Sequence, residues 1–107
     1  MIFEFDMFRL DTNQVELRGP NGPIPLEPKS FALLKLLIEE RGRAVTKQEI
    51  FEKIWPDVLV TDASLSTEVR QIRRALNDDR ARQWADKTER GHGLRFVAEV
   101  RARPPAI

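Results

Sequence analysis

The stretch Ser64–Leu76, SLSTEVRQIRRAL, decides the fold. Leu65, Val69, Ile72 and Leu76 recur at spacings of four, three and four, the mark of one apolar stripe on an α-helix. At about 100° per residue those side chains fall within roughly 60° of arc. Ala63, Thr67, Arg70, Gln71 and Arg74 then lie on the opposite side, away from whatever Leu65 packs on. Arginine and glutamine are the side chains that pair bidentately with guanine and adenine edges in a major groove. The outer face therefore has the chemistry of a recognition helix. The plain alternative for the same pattern is a solvated helix with a basic face, and the rest of the chain decides between them.

With 107 residues the chain has room for one domain and a modest core. A composition of 41% hydrophobic and 33% charged residues is that of a folded globular protein. No apolar run approaches the roughly 20 residues that span a bilayer, and no signal-peptide layout opens the sequence. The absence of cysteine excludes disulfides and thiolate metal sites and fits a cytoplasmic chain. Net charge is only +1, but it is unevenly spread: residues 1–60 balance at −2 and residues 61–107 at +3. The basic excess lies with the recognition-like helix.

Outward from that helix, the pattern predicts a small antiparallel sheet, two more helices and a C-terminal hairpin. Phe3, Phe5, Met7 with Phe8, and Leu10 read as one half-buried strand with an irregularity at Met7–Phe8. Val15 and Leu17 start a second strand, Gly19-Pro20-Asn21-Gly22 is turn chemistry, and Ile24 and Leu26 around Pro25 suit a short edge strand. Pro28 opens the first helix, whose stripe is Phe31, Leu34, Leu37 and Ile38, widened by Leu33 and Leu36, with Gly42 as its C-cap. Thr46 followed by Glu49 is a capping box for the second helix, which Pro56 ends. Asp62 is the expected N-cap of the third. A polar break at 77–80 precedes a strand from Trp84 to Glu89, a Gly91-His92-Gly93 turn and a strand Leu94–Val100. Residues 1–100 make the domain; 101–107, with Pro104-Pro105, read as a C-terminal tail or linker.

This order of elements is α+β, a winged helix-turn-helix with an N-terminal antiparallel sheet, a three-helix core and a C-terminal β-hairpin wing. The chain resembles the OmpR/PhoB-type DNA-binding domain over residues 3–100, most of all the variety found in CadC/ToxR-like receiver-less regulators. The resemblance rests on Pro28-Lys29, Gly42-Arg43 with Thr46-Lys47, Trp55-Pro56-Asp57, Arg70 to Leu76 with Asp78-Asp79, and Gly93 with Arg95-Phe96-Val97. It implies sequence-specific binding of double-stranded DNA for transcription regulation, with helix 63–76 in the major groove and wing 88–95 at the minor groove. Carried over by position, groove contacts fall to Thr67, Glu68, Arg70, Gln71 and Arg74. Phosphate contacts fall to Ser64 and Arg73, and wing contacts to Thr88, Arg90 and His92. The loop from Asp57 to Asp62 matches the family's transactivation loop, which implies a contact with RNA polymerase. Pairing of two copies on tandem DNA sites is likewise implied. Three features depart from the family pattern: Leu94 replaces an aromatic, Asp86 and Glu89 make the wing strand acidic, and Glu27 replaces a Ser/Thr cap.

Other classes have little to stand on. His92 is the only histidine, so no metal site or catalytic dyad forms around it, and no cofactor is expected. Gly91 and Gly93 lack the strand-to-helix setting of a phosphate loop. Trp55 and Trp84 read as core-rim residues; single-strand binders need exposed aromatics, and tyrosine is absent. An enzyme is not expected. The rival is a winged helix used as a protein-interaction module, which the near-neutral charge and the acidic wing favour.

Overall fold

The computed structural model describes residues 1–76 and 93–104, together with the backbone of 85–87. The elements run β1 (Ile2–Phe5), β2 (Phe8–Asp11), β3 (Glu16–Gly19), β4 (Gly22–Ile24), α1 (Pro28–Glu39), β5 (Val45–Thr46), α2 (Lys47–Ile54), α3 (Asp62–Ala75), β6 (Ala85–Lys87), β7 (Gly93–Phe96) and β8 (Arg101–Arg103). They form a five-stranded antiparallel sheet in the order β4-β3-β2-β1-β8 and a three-stranded sheet in the order β5-β7-β6. An N-terminal sheet, three helices and a C-terminal hairpin make the winged-helix arrangement that the sequence predicts.

Helix α1 is the centre of the molecule. Pro28 occupies its first turn, where a missing N–H leaves no bond unmade, and Glu27 before it makes no side-chain cap. Its apolar residues face several ways at once: Leu33, Leu34, Leu37 and Ile38 are wholly buried, and Phe31 and Leu36 nearly so. A single stripe could not occupy so much of a helix surface, so α1 must be covered on several sides. Phe3, Leu10 and Leu17 point from the five-stranded sheet into the common core, and Ile50, Ile54, Leu65, Val69, Ile72 and Leu76 reach it from the other helices. The two sheets meet where the Phe5 and Phe96 rings pack edge to face, 5.3 Å between centroids.

Several details differ from the sequence reading. What reads as one strand, Phe3 to Leu10, is a hairpin in which Phe5 faces Phe8. Asp6, at a φ of 53°, makes the tight turn, a backbone state aspartate tolerates better than most residues. Gly42 is not the cap of α1: Glu40 is, its N–H donating to the Leu36 carbonyl, and Gly42 turns the chain two residues later at a φ of 96°. The last predicted strand is interrupted, since β7 ends at Phe96. The first three residues of the supposed tail are in the sheet: β8 pairs with β1, Ile2 opposite Arg103 and Phe3 opposite Ala102, with Arg103 ion-paired to Glu4. Residues 105–107 of that tail, the polar break at 77–80 and Trp84 lie outside the described residues.

The link between α1 and α2 is held by charge. Arg43 donates to both Glu49 carboxylate oxygens, at 3.1 and 2.7 Å, and to Glu40 at 3.1 Å. That hydrogen bonding draws the Glu49 carboxyl down from about 4.5 to about 2. A carboxyl with a lowered folded pKa adds stability above its unfolded value and loses it as the pH falls through the folded one. Stability should therefore decline between about pH 4.5 and pH 2, and Arg43→Gln should flatten that part of the decline in urea midpoints measured against pH. In the core, Ile72→Ala should lower the unfolding free energy by roughly 2–5 kcal/mol. Denaturant unfolding at neutral pH checks this, and an unchanged midpoint would remove Ile72 from the core.

Candidate nucleic-acid interface

Helix α3 begins differently from the sequence expectation. Thr61, not Asp62, is the N-cap: its hydroxyl accepts from the Ser64 N–H at 3.4 Å. Asp62 is instead the first helical residue, where its charge suits the helix N-terminus, and it receives an ion pair from Lys47 at 3.3 Å. That pair ties the start of α3 to α2. Lys29 ties α1 to α2 in turn, donating from Nζ to the Ile54 carbonyl at 2.8 Å. The start of α3 is thus anchored before its side chains are considered.

Along α3 the side chains sort into three classes by depth. Leu65, Val69 and Ile72 are buried, and Leu76 just beyond the helix is too, as the periodicity predicts. Ala63, Ser66, Thr67, Arg70, Arg73 and Arg74 are exposed. Between them runs a half-buried row, Ser64, Glu68, Gln71 and Ala75, again at spacings of four, three and four. This row is the flank covered by α1. Ser30 of α1 is fully buried, its hydroxyl donates to the Glu68 carboxylate, and its Oγ stands 3.0 Å from Gln71 Oε1. Glu68 and Gln71 therefore have their polar ends on the α1 seam, whereas phase alone put Gln71 squarely on the outer face.

The outer face is left to Thr67, Arg70 and Arg74, with Arg73 toward the other flank. The Thr67 hydroxyl donates back to the Ala63 carbonyl at 3.0 Å. No ion pair engages Arg70 or Arg74 among the described residues, and both acids of α3 have partners elsewhere, Asp62 on Lys47 and Glu68 on Ser30. Ser64 is half-buried near the helix start. The wing residues Thr88, Arg90 and His92 lie outside the described residues, as do the side chains of Asp86 and Glu89. The hairpin itself is present, with Ala85 opposite Phe96, Asp86 opposite Arg95 and Lys87 opposite Leu94. Gly93 admits its third strand: a Cβ there would run into the Val45 carbonyl of β5.

Two contributors escape the sequence reading, although one leaves a signal. Ser30 falls in phase with Leu33, Leu34 and Leu37, a hydroxyl set within an apolar stripe, and such a residue needs a partner inside the fold. Thr61 has the right chemistry for a cap but stands beside an aspartate with equal claim.

This geometry invites comparison with known proteins. The model of the family "Transcriptional regulatory protein, C terminal" matches residues 21–96. The chain belongs to that family, of OmpR/PhoB type. Among its relatives is the transcriptional regulator HilA of Salmonella typhi, 32% identical over 105 residues, which is 97% of this chain and 19% of HilA. The chain thus spans about a fifth of that regulator's length. The DNA-binding domain of Bacillus subtilis CssR superimposes with a TM-score of 0.71 at 29% identity, covering 84% of this chain and 99% of that one. The Klebsiella pneumoniae RstA DNA-binding domain, solved in complex with the RstA box, shares the fold with a TM-score of 0.73 at 18% identity, over 90% of this chain and 96% of its own. In this OmpR/PhoB-type domain no described helix is long and apolar enough to cross a membrane, and the described residues contain no cluster of three or more His, Cys, Asp or Glu able to hold a metal ion.

The cap assignment can be checked directly. Thr61→Ala should destabilise the domain by about 1 kcal/mol, read as a shift in the denaturant midpoint, and Thr61→Ser should restore it. Equal stability of Thr61→Ala and wild type would return the cap to Asp62.

Proposed function

We propose that this domain binds double-stranded DNA in a sequence-specific way to regulate transcription, with α3 in the major groove and the wing, residues 88–95, at the adjacent minor groove. One observation carries the reading: the face of α3 opposite its buried stripe presents Thr67, Arg70 and Arg74, and no carboxylate among the described residues neutralises those two arginines. Arg70 and Arg74 are the base readers, since a guanidinium fork matches the guanine major-groove edge. The Thr67 methyl suits a thymine methyl, while Ser64 and Arg73 take phosphates. Arg90 enters the minor groove, with Thr88 and His92 beside it. Glu68 and Gln71 act through the seam with α1. The role is recognition, not catalysis, in the cytoplasm. The family membership and the CssR and RstA domains support this reading.

The rival use of the fold, as a protein-interaction module, finds its support at one place. Leu59 is fully exposed and Val58 is 59% exposed in the loop between α2 and α3. An apolar tip of that kind suits a protein partner. It lies beside the N-terminus of α3, so it can serve DNA-bound regulation through RNA polymerase while α3 occupies the groove. Copies paired on tandem sites would present such tips along the DNA.

Fluorescence anisotropy on mixed-sequence duplexes, run as a salt titration, tests the reading. Wild type should bind with an affinity that falls steeply as salt rises. Arg70→Ala or Arg74→Ala should weaken specific binding by about 1–3 kcal/mol each. Salt-insensitive binding, or no duplex binding at low salt, would transfer the function to the protein-interaction class.

A further inference from the structure

The DNA reading leaves one buried polar group unexplained. Ser30 has no exposed surface, stands in the apolar stripe of α1 and directs its hydroxyl at Glu68 and Gln71 on α3. We propose that Ser30 is the positioning residue of the recognition helix: through Glu68 and Gln71 it fixes the rotation of α3 about its own axis and so sets where Arg70 and Arg74 point. The proposal rests on the DNA-binding reading and deepens it.

Direction separates the contacts that hold α3. Leu65, Val69 and Ile72 hold α3 to the core by hydrophobic contact, which has no preferred orientation. The start of α3 is tied by the Thr61 cap and by the Lys47–Asp62 pair, both in its first turn. Midway along, where the arginines sit, the Ser30 hydroxyl supplies a directional contact, because a hydrogen bond weakens steeply off its axis. Glu68 and Gln71 are three residues apart and converge on the same hydroxyl, so a turn of α3 either way opens one of the two contacts. The hydroxyl has one proton and the carboxylate accepts it. Gln71 can then offer its amide NH2 to the Ser30 lone pairs, since a half-turn of the amide exchanges its oxygen and nitrogen.

Magnitude makes the contact matter. With a helix radius of roughly 5–6 Å including side chains, a 20° rotation carries a side-chain tip about 2 Å. Base recognition by a fixed fork tolerates about 0.5 Å. Contacts to phosphate through long, flexible side chains tolerate more and carry no sequence information. Losing the Ser30 contact should therefore damage specificity while sparing general affinity for DNA.

The measurement is the ratio of affinities for two duplexes: one selected by wild type from a randomised pool and one of mixed sequence. Ser30→Ala should keep its far-UV circular dichroism, its mixed-sequence affinity and its salt slope, and should lose about tenfold in the ratio, the discrimination one base-reading pair supplies. A merely structural role would lower both affinities together through the folded fraction. Glu68→Ala should lower the ratio similarly, and Ser30→Ala/Glu68→Ala should do no more than either alone, as members of one network do. Glu68→Gln keeps an acceptor for Ser30 and should keep the ratio. If Ser30→Ala does not fold, the contrast between Glu68→Ala and Glu68→Gln decides. An unchanged ratio in Ser30→Ala, additive losses in the double variant, or a new preferred base in Glu68→Gln would each overturn the positioning role and leave the DNA reading standing. Absence of duplex binding by wild type would overturn both.

Discussion

The rest of the structure depends on burying α1. A helix with Leu33, Leu34, Leu37 and Ile38 all out of contact with water has no outer face wide enough to stand at the surface. Each such side chain contributes about 1.5–3 kcal/mol when covered, so the chain folds by assembling covers. The five-stranded sheet supplies one cover through Phe3, Leu10 and Leu17, and α2 and α3 supply others through Ile50, Ile54, Leu65, Val69 and Ile72. One of these covers, α3, carries Arg70, Arg73 and Arg74 exposed on its far side. The orientation of the interface is therefore a consequence of which stripe α3 commits to the core.

The first and last described strands share a sheet. β1 lies between β2 and β8, so the sheet closes over the helix with residues 99 apart in sequence, Glu4 and Arg103, in an ion pair. The small sheet β5-β7-β6 roots the wing in the same core, because Val45 opposite Leu94 and the Phe5–Phe96 contact are both buried. A rooted wing base and an anchored α3 form a platform rigid enough for reading a groove, which loops alone would not provide.

How much of this is legible in the sequence follows from the range over which each signal acts. Pro28, the Thr46–Glu49 cap and the stripe from Leu65 to Leu76 work within a few residues, so the three helices are readable. β5 is two residues long and β8 is three exposed residues, two of them arginine, and neither has an apolar alternation of its own. They are strands because Leu94 and Ile2 stand opposite them, a fact that exists only in three dimensions. The hairpin at Asp6–Met7 is concealed because Phe5 and Phe8 both point to the core, which reads locally as continuity with a slip. For the exposed face of α3, helical phase finds Thr67, Arg70 and Arg74, since they lie opposite the core. It sets Gln71 on the outer face although its amide meets Ser30, because phase specifies the back of a helix without saying which flank a second helix covers.

The electrostatics follow from the same packing. A net charge of +1 would suggest no particular attraction to a polyanion. Charge acts locally, however, because exposed groups are screened beyond about 8 Å at physiological salt. Within that range the assignments are unequal: Arg18, Arg43 and Arg103 are matched by Glu16, Glu49 and Glu4, while the two acids of α3 are drawn off by Lys47 and by Ser30. The Ser30 contact holds the Glu68 carboxylate against α1. An apolar residue at position 30 would give Glu68 no partner there. The bond that aims the helix thus also holds the Glu68 carboxylate on the flank packed against α1.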